Sequence, residues 1–204
     1  MSGQLEKARI YFTGVGGQGT LTATNLLAHA AMEAGIEAVG GEVHGMAQRG
    51  GVVESALLLG GYKSPRLDLG EADIILGFEA LETLRGLPYL RPGGVVFSST
   101  DELAPLDVAL GNAVYPDLQT IKAETARIAS KTFFVPCHDL GREAGAIQSG
   151  NTALLGALAV SGILPLGLDA IEAAIHKFLP EKIQAVNLKA LNLGAEFMLK
   201  TVQL

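Results

Sequence analysis

The chain has 204 residues, 49% hydrophobic and 18% charged, with 26 glycines and no tryptophan; this length supports one buried core, and the apolar content excludes a disordered segment. A net charge of -6 and a pI near 5.2, with no cluster of Lys and Arg, exclude a general nucleic-acid binder, which needs concentrated positive charge against phosphates. The lone cysteine, Cys137, permits neither an internal disulfide nor an iron–sulfur cluster, which takes about four thiolates.

In chain order, MSGQLEKARI has no long apolar run, and no later segment reaches the roughly 18 apolar residues of a membrane span, so a cytoplasmic location is expected. Residues Ala8–Thr13 are β-formers bounded by glycine and predict a buried strand. From Thr20 to Ala34 the apolar positions Ala23, Leu27, Ala30, Ala31 and Ala34 recur at helical spacing, with Gly35 placed as a C-cap. Ile36–Val39 predicts a second strand. The following GGEVHGMAQRGG has five glycines and no apolar periodicity, and predicts a loop.

Val52–Leu59 and Asp73–Phe78 predict strands, a short helix starts after Glu79, and RPGG at Arg91–Gly94 predicts a turn before the strand GVVFSS. Asp117 caps an expected helix reaching Ser130, and Thr132–Pro136 predicts the last strand. The final third changes to helical periodicity over Asn151–Ser161, Asp169–Phe178 and Glu181–Val202, the last with a stripe of Ile183, Val186, Ala190, Leu193 and Phe197. Strands alternating with helices imply a single α/β domain over residues 1–204. Its expected fold is a Rossmann-like open, mostly parallel sheet with helices on both faces and a helical C-terminal portion.

Gly14, Gly16 and Gly19 in GVGGQG have the G-x-G-x-x-G spacing, with a strand before and a helix after. The first glycine would permit a tight turn, the second the approach of a phosphate, the third close packing of helix on strand, and the helix N-terminus would offer N–H groups to an anion. A purely structural role in closing the turn remains an alternative. A nicotinamide site also needs an acid at the end of the second strand, roughly 20 residues on, to hold a ribose hydroxyl. That count lands on Val39 and Gly40, between Glu37 and Glu42, so the fingerprint is half present.

HGMAQRGG, from His44 to Gly51, adds Arg49, whose guanidinium suits carboxylates and phosphates, or equally an acid of this chain. Both loops are expected at the carboxyl edge of the sheet, where ligands of open α/β folds bind.

Other constellations fail. Cys137, His138 and Asp139 are neighbours that point apart, so no triad is expected. His29, His44, His138 and His176 lack metal-ligand spacing, and no metal site is expected. There is no G-x-S-x-G elbow, and Thr20 follows Gly19 where a Walker loop needs lysine. Glu79 and Glu82 share a helix face that is expected to lie on the surface.

GVGGQGTLTATNLLAHAAMEAG, EVHGMAQRGGVVES, DIILGFEALE and NTALLGALAVSGILP together resemble the beta subunit of indolepyruvate ferredoxin oxidoreductases. More broadly they are similar to the gamma subunit or domain of 2-oxoacid:ferredoxin oxidoreductases. The resemblance runs from about Arg9 to near the C-terminus, and the pair of glycine loops at this separation carries it. It implies a non-catalytic subunit of a complex that oxidatively decarboxylates 2-oxoacids, here of the arylpyruvate type, to acyl-CoA with reduction of ferredoxin. It further implies that thiamine diphosphate and iron–sulfur clusters belong to a large alpha subunit, since this chain has no Gly-Asp-Gly motif and one cysteine.

Carried over position by position, the resemblance assigns Gly14, Gly16, Gly17, Gln18, Gly19 and Thr20 in the first loop, and His44, Gly45, Gln48, Arg49, Gly50 and Gly51 in the second, to the subunit junction, with coenzyme A as co-substrate there. The alternatives are a gamma subunit acting on pyruvate or another 2-oxoacid, a free-standing NAD(P) or flavin oxidoreductase, and a CoA- or nucleotide-binding module without chemistry.

Overall fold

The computed structural model describes residues 5–44 and 51–202. Six strands form a sheet in the order β2-β3-β1-β4-β5-β6, with β1 at Ala8–Val15, β2 at Ala38–His44, β3 at Val52–Leu59, β4 at Ala72–Gly77, β5 at Leu90–Ser99 and β6 at Lys131–Val135. β1, β4, β5 and β6 pair in parallel, whereas β3 is antiparallel to both its neighbours, β1 and β2. Five strands therefore end on one edge of the sheet, and β3 begins there.

The helices are α1 (Thr20–Glu33), α2 (Ala80–Gly86), α3 (Leu106–Ala109), α4 (Leu118–Ile128), α5 (Cys137–Ala144), α6 (Gly150–Val160), α7 (Leu168–Phe178) and α8 (Glu181–Val202). Side chains alternate across a strand, so Ile10 and Phe12 of β1 enter one core with Leu57, Leu76 and Phe97, covered by Leu27, Leu154, Ile175 and Leu191 of α1, α6, α7 and α8. Tyr11 points the other way, into a smaller core with Ile75, Val96, Leu87 and Leu90. Burying each large apolar side chain contributes about 1.5–3 kcal/mol, so the larger core dominates the stability. Local signals hold at both kinds of helix end: Gly35, at φ 75, follows α1, and the Asp117 carboxylate accepts from Thr120 N at 2.7 Å to cap α4.

Sequence expectations about the elements are corrected at four places, the first being the turn expected at Arg91–Gly94, which lies within β5. The glycine-rich stretch after Val39 is strand as far as His44, because β3 supplies a complete ladder of partners for it. Gly41 needs no side chain, since a Cβ there would fall 2.9 Å from Pro65 Cβ. The helix α5 was not expected, its sequence CHDLGREA being mostly polar. Finally, the buried stripe of α8 is Asn187, Ala190, Leu191, Gly194, Ala195 and Met198, rotated from the large apolar residues that periodicity selects.

The cause of that rotation is the crossing of α8 on α6, ten of whose eleven residues are buried. A Cβ on Gly156 would lie 2.0 Å from Leu191 O, and one on Gly194 would lie 1.9 Å from Ala153 O. The two backbones touch, so the seam takes glycine and alanine while bulkier residues flank it. Gly194→Ala gains about 1 kcal/mol of helix propensity but must separate the helices. A net loss of about 1–3 kcal/mol is expected in urea unfolding, with a lowered midpoint.

Candidate functional site

β1 leads through α1 to β2 on one side, and β4 leads through α2 to β5 on the other, so the carboxyl ends of β1 and β4 form the switch point of the sheet. The residues of GVGGQGT span this point. Gln18 closes it: Val15 N donates to Gln18 Oε1 at 2.8 Å, and Gln18 Nε2 donates to Phe78 O at 2.8 Å, beside the Phe78 N to Thr13 O bond of 2.8 Å. The glutamine amide is thus spent joining β1 to the residue after β4.

Each glycine has a local reason. A Cβ on Gly14 would meet Thr20 Oγ1 at 2.7 Å and Phe78 Cβ at 3.1 Å. Gly17 and Gly19 have φ of 104 and 79, the left-handed region that favours glycine. Gly19 also faces α6, where a Cβ would lie 2.3 Å from Asn151 Nδ2, which donates to Gly19 O at 3.0 Å. The close packing expected of the third glycine is therefore against a helix of the C-terminal portion rather than the strand. Thr20 Oγ1 is buried without a hydrogen-bond partner among the described residues.

Gly16 N donates to Gly51 O and Gln18 N to Val15 O, while the amides of Gly17 and Gly19 find no acceptor among the described residues. α1 has no side-chain cap, so its first-turn N–H groups remain available as well. Loop and helix together present free donors at a positive dipole end, which suits an anion.

The Gly16–Gly51 bond, 2.9 Å long, joins the first glycine loop to the end of the second, because the β1–β3 register places Val15 opposite Val52. The backbone of His44 pairs with Val53 on the same edge. Gly45, Gln48, Arg49 and Gly50 lie outside the described residues.

Beside the first loop is a cavity of about 290 Å³ whose wall includes Gly17, Gln18, Asp101, His138, Gln148 and Asn151. A second, of about 430 Å³, shares Gly17, Gln148 and Asn151 and reaches Val186 and Asn187 of α8. Of these wall residues, Asp101 and Gln148 escaped the sequence reading, while His138 entered it only as a rejected triad and metal candidate and Asn151 only as the start of a helix. The placement of Asp101 and His138 could have been found from the rule that strand ends converge, since each follows a predicted strand by two residues.

The expectation that Cys137, His138 and Asp139 diverge is met by three separate partners. Burial pushes the pKa of the Cys137 thiol up, opposed by the neighbouring Ser99 side chain. The His138 ring lies with Nδ1 3.6 Å from Asp101 Oδ1. Asp139 accepts from Arg142 at 2.7 Å. Burial raises the Asp101 pKa, opposed by Ser99 and by both the charge and the backbone N–H of His138.

Glu79 and Glu82 are corrected: both are buried, at 0% and 3% exposure. Glu79 caps α2 through Glu82 N at 2.8 Å, and it accepts from Leu103 N at 3.0 Å and from the Tyr115 hydroxyl. The connection carrying Leu103 and Tyr115 folds over the helix start, a long-range contact invisible to local pattern. Burial raises the Glu82 pKa, against the lowering influence of Arg85.

The nicotinamide fingerprint fails geometrically. β3 intervenes between β1 and β2, so the end of β2 stands about 10 Å from β1, two strand spacings away, too far for its acid to share a ribose with the glycine loop. Glu37 is exposed and binds Lys63 at 3.0 Å.

The family model described as pyruvate ferredoxin/flavodoxin oxidoreductase matches residues 9–197. The chain belongs to this family. Within it, the chain is 36% identical to "Indolepyruvate oxidoreductase subunit IorB" of Archaeoglobus fulgidus, over 92% of this chain and 94% of that protein. It is 39% identical to the subunit of the same name from Pyrococcus horikoshii, over 94% and 96%. A solved family structure, pyruvate oxidoreductase subunit PORC of Thermotoga maritima, superposes with a TM-score of 0.68 at 25% identity, covering 93% of this chain and 96% of that one.

Gln18→Leu leaves Val15 N and Phe78 O without partners in a half-buried place. At about 1–3 kcal/mol per unsatisfied group, a loss of roughly 2–4 kcal/mol is expected in thermal unfolding, and its absence would show that water replaces the amide there.

Proposed function

We propose that this chain is the small, non-catalytic subunit of a cytoplasmic arylpyruvate ferredoxin oxidoreductase, folded as one domain. The observation that carries the reading is similarity to indolepyruvate oxidoreductase subunits over nearly the full length of both chains. On this reading the complex converts arylpyruvates to acyl-CoA and carbon dioxide with reduction of ferredoxin. A larger alpha subunit holds thiamine diphosphate and the iron–sulfur clusters; one cysteine in 204 residues cannot ligate a cluster here.

The two glycine loops form the junction with that subunit, and coenzyme A enters beside the first. The fit is to its phosphates: the free amides of Gly17, Gly19 and the start of α1 are suitable donors for a diphosphate. The 290 Å³ cavity has room for only part of coenzyme A, so the remainder would extend into the subunit junction. Coenzyme A supplies the thiol that accepts the acyl group; this chain holds and orients its phosphates. Gly14, Gly16, Gln18 and Thr20 shape the loop, while His44, Gln48, Arg49, Gly50 and Gly51 line the junction.

Co-expression with a candidate thiamine-dependent large chain tests the reading. A stable complex is expected, with CoA-dependent ferredoxin reduction by indolepyruvate and none from this chain alone. A large chain fully active and CoA-dependent without this one would overturn it. Within the complex, Gly17→Val is expected to raise the KM for coenzyme A by roughly tenfold, about 1.4 kcal/mol, with the KM for the 2-oxoacid unchanged.

A further inference from the structure

The geometry points to Asp101 and His138 as a charge gate on the glycine-loop cavity, in which the protonated imidazole binds a phosphate-like anion and Asp101 holds the ring in place. The inference rests on reading that cavity as an anion site. Asp101 and His138 sit in its wall together with Gly17 and Gln18. Asp101 receives His138 N at 3.0 Å, which fixes the start of α5, and faces the imidazole Nδ1 at 3.6 Å. With Nδ1 turned to the carboxylate, the opposite ring nitrogen, Nε2, is the one left to donate away from Asp101.

The charges near the ring make protonation decisive. Among the described wall residues His138 is the one side chain able to carry positive charge, and Asp101 is the one carboxylate. The other titratable groups packed around the pair are the buried Cys137 thiol, Asp139, which is held by Arg142, and Glu79, which accepts from the wall residue Leu103 and from the Tyr115 hydroxyl. The glycine loop and the start of α6 contribute Gln18, Gln148 and Asn151, none of them ionisable. With His138 protonated, the pair is neutral overall and a cationic donor lines the same wall as Gly17 and Gln18. With His138 neutral, the buried carboxylate stands alone and repels an anion. Anion affinity at this loop therefore falls when the imidazole gives up its proton.

Sulfate is a suitable probe because its charge is constant across the range. The His138 ring resonance of the full chain is followed by NMR from pH 5 to 9, with and without saturating sulfate, alongside the amides of Gly17 and Gly19. By linkage, a sulfate that binds the protonated form about tenfold tighter raises the imidazole pKa by about one unit. That shift is expected, as is a loss of the pH dependence of sulfate affinity in His138→Gln. Asp101→Asn, which keeps an acceptor for His138 N, should bind sulfate more tightly than wild type at pH 8. An unmoved His138 titration overturns the inference. If the loop amides nevertheless respond to sulfate, the anion site stands without its gate; if they do not, the phosphate reading of the cavity falls as well.

Discussion

The antiparallel pairing of β3 with β1 is the constraint on which the rest of the carboxyl edge depends. It extends one step beyond Val15 and Val52, through Gly16 N to Gly51 O, and so joins the first glycine loop to the last residue of the second, 35 residues on in sequence. The same strand displaces β2 from the position beside β1 that a dinucleotide fold requires. A single insertion in strand order thus keeps the glycine-loop half of the fingerprint and removes the ribose-binding half.

The loop itself is held from several directions. Gln18 ties it to the end of β4, Asn151 of α6 closes on Gly19, and α6 is pressed against α8 by a seam of glycines. The C-terminal helices are thereby part of the site's frame, because a shift of α6 would move Asn151 and with it the left-handed turn at Gly19. For the proposed anion site rigid placement matters, since amides left free inside a fixed loop would be oriented before an anion arrives, which would lower the ordering cost of binding.

Much of the fold was legible in the chain. The strand–glycine–helix unit at the N-terminus, the strands at residues 52–59 and 132–135, the Asp117 cap and the three late helices follow from local propensity and periodicity. Where local pattern failed, a distant partner had decided the outcome. β2 continues through Gly40 and Gly41 because β3 pairs with it. Glu79 is buried because Tyr115 and Leu103, more than twenty residues on, bond to it. The buried face of α8 follows from close approach to α6, which selects small residues over large ones.

For the site, the sequence by itself determined the glycine loop, the helix dipole behind it and the absence of a cluster-ligating set of cysteines, since these depend on residue type and short spacing alone. The combination of its two glycine loops also carried the resemblance to the family. Only the tertiary structure decided what the loop faces. Asp101 and His138 are 37 residues apart and meet because β5 and β6 are parallel neighbours ending on the same edge, and strand order is set by long-range burial rather than by any local stretch of the chain.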